Sequence, residues 1–325
     1  MPSSEPARRF LGLTALLLAG LLLLVAARVV WFDAYWIFRA DPPWRAATGG
    51  GNRLLDRQTR RAKVLQALTR PCATVLVGSS TVYHGLDPRD LDAAPLPVFN
   101  AGISAILAEE LPLVASVVAS RPGVSRVVIG LDYSMFSRPS VPVRLDPSLA
   151  SATGRLTALM GSVLGRYALM DSRIEAVSGA EDPGAWTRDG FRETPPLPPA
   201  LTRENDAARR RSTAPFRPET LEALGLVLDR LAGLRVEAYL SPVSDAQRRV
   251  LADLGLLDDF ARWREAVLRV GAARGVAIRD LTALGASFPF DPAAGSTEAW
   301  LDNLHYTPRI GRLVLAALGL RRAPP

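Results

Sequence analysis

Two stretches with the means to do chemistry lie far apart in the chain. Val75-Leu76-Val77 runs into Gly78-Ser79-Ser80, and Asp302-Asn303-Leu304-His305 lies near the other end. A serine hydroxyl is a poor nucleophile until a base removes its proton. An imidazole does this best near neutral pH, and a carboxylate fixes its tautomer. The chain has only two histidines, His84 and His305, so the choice of base is narrow. In a tight turn, the spacing Asp302-x-x-His305 lets the carboxylate accept from one ring nitrogen while the other faces a serine. His305 is the expected base and Asp302 its orienter; the spacing alone also fits a surface histidine beside an aspartate. His84 follows Ser80 by four residues and is expected to line the same cleft.

The elements that must position these groups read as an α/β pattern. Thr74–Val77 is a short apolar strand ending in a glycine and two hydroxyls. Open α/β sheets place their chemistry at that carboxyl edge. A second strand begins at Val98-Phe99 and meets Asn100-Ala101-Gly102. A helix is expected over 105–119, then a strand over 125–131 followed by Asp132-Tyr133. The unbroken apolar centre of that strand suggests parallel pairing covered on both faces. Further on, the sequence predicts a helix over 218–234 and a strand at Arg235–Leu240. One long helix, or two broken near Gly255, follows over 245–273, then a strand over 276–278. A closing helix over 308–318 has Pro308 at its start. The expected class is α/β, a three-layer sandwich around a mainly parallel sheet. Residues 134–215 break the rhythm, with prolines, a helical middle over 156–176, and Arg209-Arg210-Arg211, which reads as a solvated charge run or as a contact for an anionic glycan or lipid headgroup. This section reads as an insertion beside the active edge. A lid or substrate-binding role and a surface excursion outside the chemistry both fit it.

Residues 10–27 are uncharged and strongly apolar, and past Arg28 the run continues to Phe32. Eighteen helical residues span about 27 Å, close to a hydrocarbon core of roughly 30 Å. The expected organisation is a cytoplasmic tail at 1–9, a transmembrane anchor at 10–32, and a linker with a lead-in helix at 33–70. One catalytic domain over 71–325 follows. Arg8 and Arg9 favour a cytoplasmic N-terminus, although Arg28, Arg39 and Arg45 soften the asymmetry. A cleaved signal ending near Val25-Ala26-Ala27 also fits. Either way the remaining chain would face the periplasm or the exterior, held in the first case by the inner membrane.

Bulk composition excludes several classes. The net charge of +7 comes from arginine, Lys63 being the only lysine, and no basic block or finger spacing points to nucleic acid. A single cysteine, Cys72, rules out an internal disulfide and fits packing just before the first strand. Gly78-Ser79-Ser80 lacks the lysine of a phosphate-binding loop, and Gly49-Gly50-Gly51 has no strand before it. Two histidines and one cysteine do not make a closed zinc site. No cofactor or metal is expected.

These blocks together resemble the SGNH (GDSL-type) hydrolase superfamily, whose folds are flavodoxin-like. They are most similar to its membrane-anchored envelope branches, which include polysaccharide O-acetylation proteins and the D-alanyl transfer protein of teichoic acid synthesis. The family's strand followed by Gly-Asp-Ser resembles Val75 to Ser80. The match implies Ser80 as nucleophile, with Ser79 in the aspartate position. Asn100-Ala101-Gly102 is similar to the second block and implies Gly102 as a backbone oxyanion donor beside Ser80. Asp302 and His305 match the last block. The third block departs: Gly130-Leu131-Asp132-Tyr133 places Asp132 where the family has a donating asparagine. An ionised carboxylate cannot donate to an oxyanion. Either Asp132 has another role, or the hole relies on the N–H groups of Ser80 and Gly102. With Ser79, His84, Asn100 and Tyr133, Asp132 is expected to line the site.

The resemblance implies a serine-dependent ester hydrolase or acyltransferase working on an envelope glycan or lipid-linked substrate, with an integral membrane partner supplying the acyl group. A carbohydrate-binding relative that has lost catalysis, or an assembly factor, is the competing reading, and Asp132 is its main support.

Overall fold

Short apolar runs at five places in the chain become the five strands of one sheet. These are β1 (Thr74–Val77), β2 (Val98–Asn100), β3 (Arg126–Leu131), β4 (Arg235–Leu240) and β5 (Ile278–Asp280). This is a computed structural model; it describes residues 5–38, 55–141, 144–177 and 186–321. Within the linker expected over 33–70, residues 39–54 lie outside the described residues, Arg39 and Arg45 among them. The strands order as β2-β1-β3-β4-β5 and every pairing is parallel. The chain thus winds outward from β1 in one direction and from β3 in the other. That makes the carboxyl ends of β1 and β3 the switch point where doubly wound sheets open a crevice.

Twelve α-helices surround the sheet or extend from it among the described residues. They are α1 (Glu5–Phe32), α2 (Leu55–Thr69), α3 (Ser80–Gly85), α4 (Leu111–Ala119), α5 (Tyr133–Ser137) and α6 (Ala152–Leu164). The rest are α7 (Arg166–Val177), α8 (Pro199–Ser212), α9 (Thr220–Arg230), α10 (Asp245–Asp253), α11 (Leu257–Ala272) and α12 (Pro308–Ala317).

Alternation along each strand divides the interior into two cores. Val75, Val77, Val127, Ile129 and Leu131 pack with α2, α4, α9 and α11 on one face. Leu76, Val128 and Tyr239 pack with α12, Trp300 and Tyr306 on the other. Side chains one residue apart point to opposite faces of a strand, so the same apolar run feeds both layers. The result is the three-layer α/β arrangement expected from the sequence.

Several boundaries differ from expectation, among them the helix expected over 218–234, which runs only Thr220–Arg230, and three have a local cause. The helix expected over 105–119 begins only at Leu111, after a 3-10 turn at Ala108–Glu110. Pro112 lies in its first turn, where a missing N–H is harmless, and Glu110 turns back to accept from the Leu107 N–H. The strand expected over 276–278 is displaced to Ile278–Asp280. Val276 is still tied to the end of α11, its N–H donating to the Gly271 carbonyl. The proline run before Arg209-Arg210-Arg211 is irregular only as far as Pro198; Pro199 then opens α8 in its first turn.

Helix α1 is long and apolar enough to cross a membrane, with a mean hydropathy of 2.6 over its best window and none of that window buried. Helices α6 and α7 pack beside it.

Candidate active site

Ser80 is placed by a sharp exit from β1. Gly78 has φ 157°, and a Cβ there would lie 2.4 Å from Val82 Cγ2 and 2.8 Å from the Gly130 carbonyl oxygen. Only glycine lets the backbone approach β3 this closely before it turns into α3. Ser79 caps that helix, its hydroxyl accepting from the Thr81 N–H at 3.2 Å. Ser80 is therefore the first residue of α3. Its backbone N–H has no acceptor among the described residues, as expected of the first turn of a helix.

His305 is delivered by a tight turn next to α12. Leu301 N–H donates to the His305 carbonyl at 2.8 Å, and Trp300 pairs with Tyr306 across the base of the turn. The Tyr306 hydroxyl lies 2.9 Å from that of Tyr239 on β4, which fastens the turn to the sheet. Helix α12 then packs on α3 so closely that a Cβ on Gly311 would fall 1.7 Å from the Gly85 carbonyl oxygen. Two glycines thus bring the terminal helix against the helix that carries Ser80.

The structure brings Ser80, His305 and Asp302 together across 225 positions of sequence. His305 Nε2 lies 2.7 Å from Ser80 Oγ, and His305 Nδ1 lies 2.8 Å from Asp302 Oδ2. Facing a carboxylate, Nδ1 carries the proton, which leaves Nε2 to accept from the serine hydroxyl. Asp302 is itself held: the backbone N–H groups of Leu304 and His305 donate to Oδ1 at 2.8 and 2.9 Å. Burial pushes the Asp302 carboxyl up, but the His305 charge and these hydrogen bonds outweigh it and hold the group well below the usual carboxylate range.

The other expected site residues take different places. His84 does line the cleft, but its Nδ1 lies 2.9 Å from Thr194 Oγ1, and its ring packs edge-on to His305 at 5.0 Å. Burial, then the nearby His305 and Arg192 charges, hold it well below the usual histidine range. Ser79 lines the cleft and donates its hydroxyl to Asp132 Oδ2. Asp132 does not face the cleft. It sits behind the Ser80 turn, where Thr81 Oγ1 also donates to it at 3.1 Å. Asn100 is likewise fully buried behind the turn, donating to the Val82 and Leu86 carbonyls at 3.0 and 2.8 Å. Tyr133 points elsewhere, its hydroxyl donating to Asp259 on α11 at 2.7 Å. Burial and that carboxylate push its phenol up. The Gly102 N–H, expected as an oxyanion donor, is engaged with Asn100 Oδ1 at 3.0 Å. So of the two expected backbone donors, the Ser80 N–H is the one that stands open.

Several neighbours of the site had no motif to announce them, apart from the triple arginine that holds Arg209. Asn205 on α8 donates to Asp302 Oδ2 at 3.1 Å, and Asp206 accepts from Asn303 Nδ2 at 3.1 Å. Arg138, Arg192, Thr194 and Arg209 also line the cleft, an open volume of about 940 Å³. All six belong to the insertion, so that segment forms one wall of the site. Lys63 is fully buried against the Trp186 ring and donates to the carbonyls of Asn100 and Gly190, joining the insertion to the end of β2. Its status as the sole lysine was the only signal available.

No family model and no curated protein matches the chain. Among solved structures it is similar to a Streptococcus pneumonia protein bearing the provisional name platelet activating factor. That similarity has a TM-score of 0.44 at 10% identity, covering 82% of this chain and 92% of the other.

Proposed function

We propose that the protein is a serine-dependent acyl-ester enzyme of the SGNH type. The reading rests on one observation, the continuous chain of contacts from Ser80 Oγ to His305 Nε2 and from His305 Nδ1 to Asp302. In this reading His305 takes the Ser80 proton as Oγ bonds to the ester carbonyl carbon. Asp302 steadies the imidazolium that forms. The Ser80 N–H donates to the developing oxyanion. Collapse of the tetrahedral species breaks the bond to the alcohol, which leaves with the proton from His305, and an acyl-serine remains. Water or a sugar hydroxyl then gives its proton to His305 and takes the acyl group, which restores Ser80.

Asp132 fits this scheme as a support for the nucleophile turn, since hydroxyls of Ser79 and Thr81 occupy its oxygens. In the proposed setting α1 spans the inner membrane with its N-terminus inside. The catalytic domain then faces the envelope, where a glycan or a lipid-linked ester is the substrate and an integral membrane partner supplies the acyl group. A fluorophosphonate probe tests the nucleophile. Labelling of the full chain at Ser80, lost in Ser80→Ala and in His305→Ala, is the expected result. Labelling that survives Ser80→Ala would remove the assignment.

A further inference from the structure

Arginines elsewhere on this domain find carboxylates or backbone carbonyls, as Arg230 does at Pro112 and Arg248 at Thr282. Arg60 meets Glu110, Arg217 meets Glu109 and Glu219, Arg210 meets Asp206 and Asp253, and Arg262 meets Asp259. Arg138 and Arg209 do not. Both are half-buried in the wall of the Ser80 cleft, and neither guanidinium has a hydrogen bond or ion pair among the described residues. The carboxylates within electrostatic reach are already engaged. Asp132 is taken by Ser79 and Thr81, and Asp302 by His305, Leu304 and Asn205. Burial pulls both guanidinium pKa values down, and for Arg138 the neighbouring Arg60 adds to it.

A partly desolvated cation with no partner is costly to keep. It is also what an anion-binding site needs before its ligand arrives. The positive character continues past Ser80 into an adjoining chamber of about 1870 Å³. The two share Tyr83, Ser104, Ala105 and Arg192, and the chamber adds Arg61 and Arg144, beside Arg60 already paired with Glu110, against one lining carboxylate, Asp146.

We propose that Arg138 and Arg209 form a subsite for an anionic oxyacid group, carboxylate or phosphate, on the molecule whose ester is cleaved or formed at Ser80. The planar guanidinium fork matches either group and holds it by paired, charge-assisted hydrogen bonds. The subsite lies on the insertion wall, Arg138 just after α5 and Arg209 in the last turn of α8. The ligand's charge would thus be gripped by one wall while its ester meets the other. This rests on the acyl-ester reading for the reaction, but not for the binding.

The test uses full-length protein in detergent and three acetyl esters: phenyl acetate, para-acetoxybenzoate and para-acetoxyphenyl phosphate. In Arg138→Gln and in Arg209→Gln the preference for an anionic ester over phenyl acetate should fall by roughly tenfold, through KM. Arg209→Lys, which keeps the charge but loses the fork, should fall between wild type and Arg209→Gln. The arm that falls furthest tells carboxylate from phosphate. An unchanged preference, or an equal loss on all three esters, would overturn the proposal. Binding is read separately by calorimetry with benzoate and phenyl phosphate on Ser80→Ala. Saturable binding that disappears when both arginines are replaced by glutamine supports the subsite even where no ester is turned over. No binding to the Ser80→Ala chain overturns it. Failure of the acyl-ester reading would instead show as an absence of probe labelling at Ser80.

Discussion

On the sheet side of the cleft, the polar groups around Ser80 are matched to one another. Asp302 accepts from two backbone N–H groups as well as from His305, and Asp132 and Asn100 brace the turn from behind. On the insertion side, Arg138 and Arg209 line the cleft with no hydrogen bond or ion pair among the described residues. The first wall is laid down by strand ends, two close glycine contacts and a hydrogen-bonded turn. The second is carried by a segment that leaves the sheet after β3 and returns before β4. Groups that must hold one geometry sit where the backbone leaves them no freedom. Groups left unsatisfied sit where a ligand can satisfy them. In the proposed enzyme such a division would separate chemistry from selection within one cleft.

Perturbing each wall sharpens the contrast. The largest effect belongs to the sheet wall. Asp302→Asn preserves shape but lets the imidazole take the wrong tautomer, and ester turnover should fall on the order of a thousandfold or more. A loss below about tenfold would mean that Asp302 does not orient His305.

Asn205 sits between the walls, since it comes from α8 yet touches Asp302. Asn205→Ala removes one hydrogen bond to a charged group, worth about 1.5 kcal/mol, so a loss of roughly tenfold in kcat is expected. No change in kcat would confine the insertion to selection alone.

The smallest effect concerns His84. Its folded pKa lies below the ordinary value of 6.5, so the unfolded chain binds a proton there that the folded chain refuses. Stability should therefore fall as pH drops below 6.5, by at most about 1.4 kcal/mol per pH unit. His84→Gln should flatten that slope in denaturant titrations. Identical slopes in the two proteins would place His84 in a more open setting.

The same division governs how much was legible in the sequence. Strand runs such as Val127 to Leu131 serve two cores at once, so their apolar pattern shows without knowledge of partners. Asp302 and His305 stand three apart in one turn, and with two histidines in the chain the pair stands out. Asn205 and Arg138 carry no local pattern, and the run Arg209-Arg210-Arg211 does not show which arginine turns to the cleft, because that is decided only when α8 and the chain after α5 fold over β1. The proline-rich approach to α8 concealed a helix whose first turn tolerates proline. The expectation for Gly102 missed that Asn100, two residues earlier, accepts its N–H. Asp132 stands where the resemblance implies a donating asparagine, and its other role shows only in the folded chain, where Ser79 and Thr81 donate to it.

In the proposed enzyme Ser80 and His305 act as one unit. Turnover of a neutral acetyl ester by wild type, Ser80→Ala, His305→Ala and the double variant tests this most directly. Each single change should cost a factor of thousands, and the double variant should be about as slow as either alone. Losses that multiply in the double variant would show two independent groups and contradict the shared mechanism.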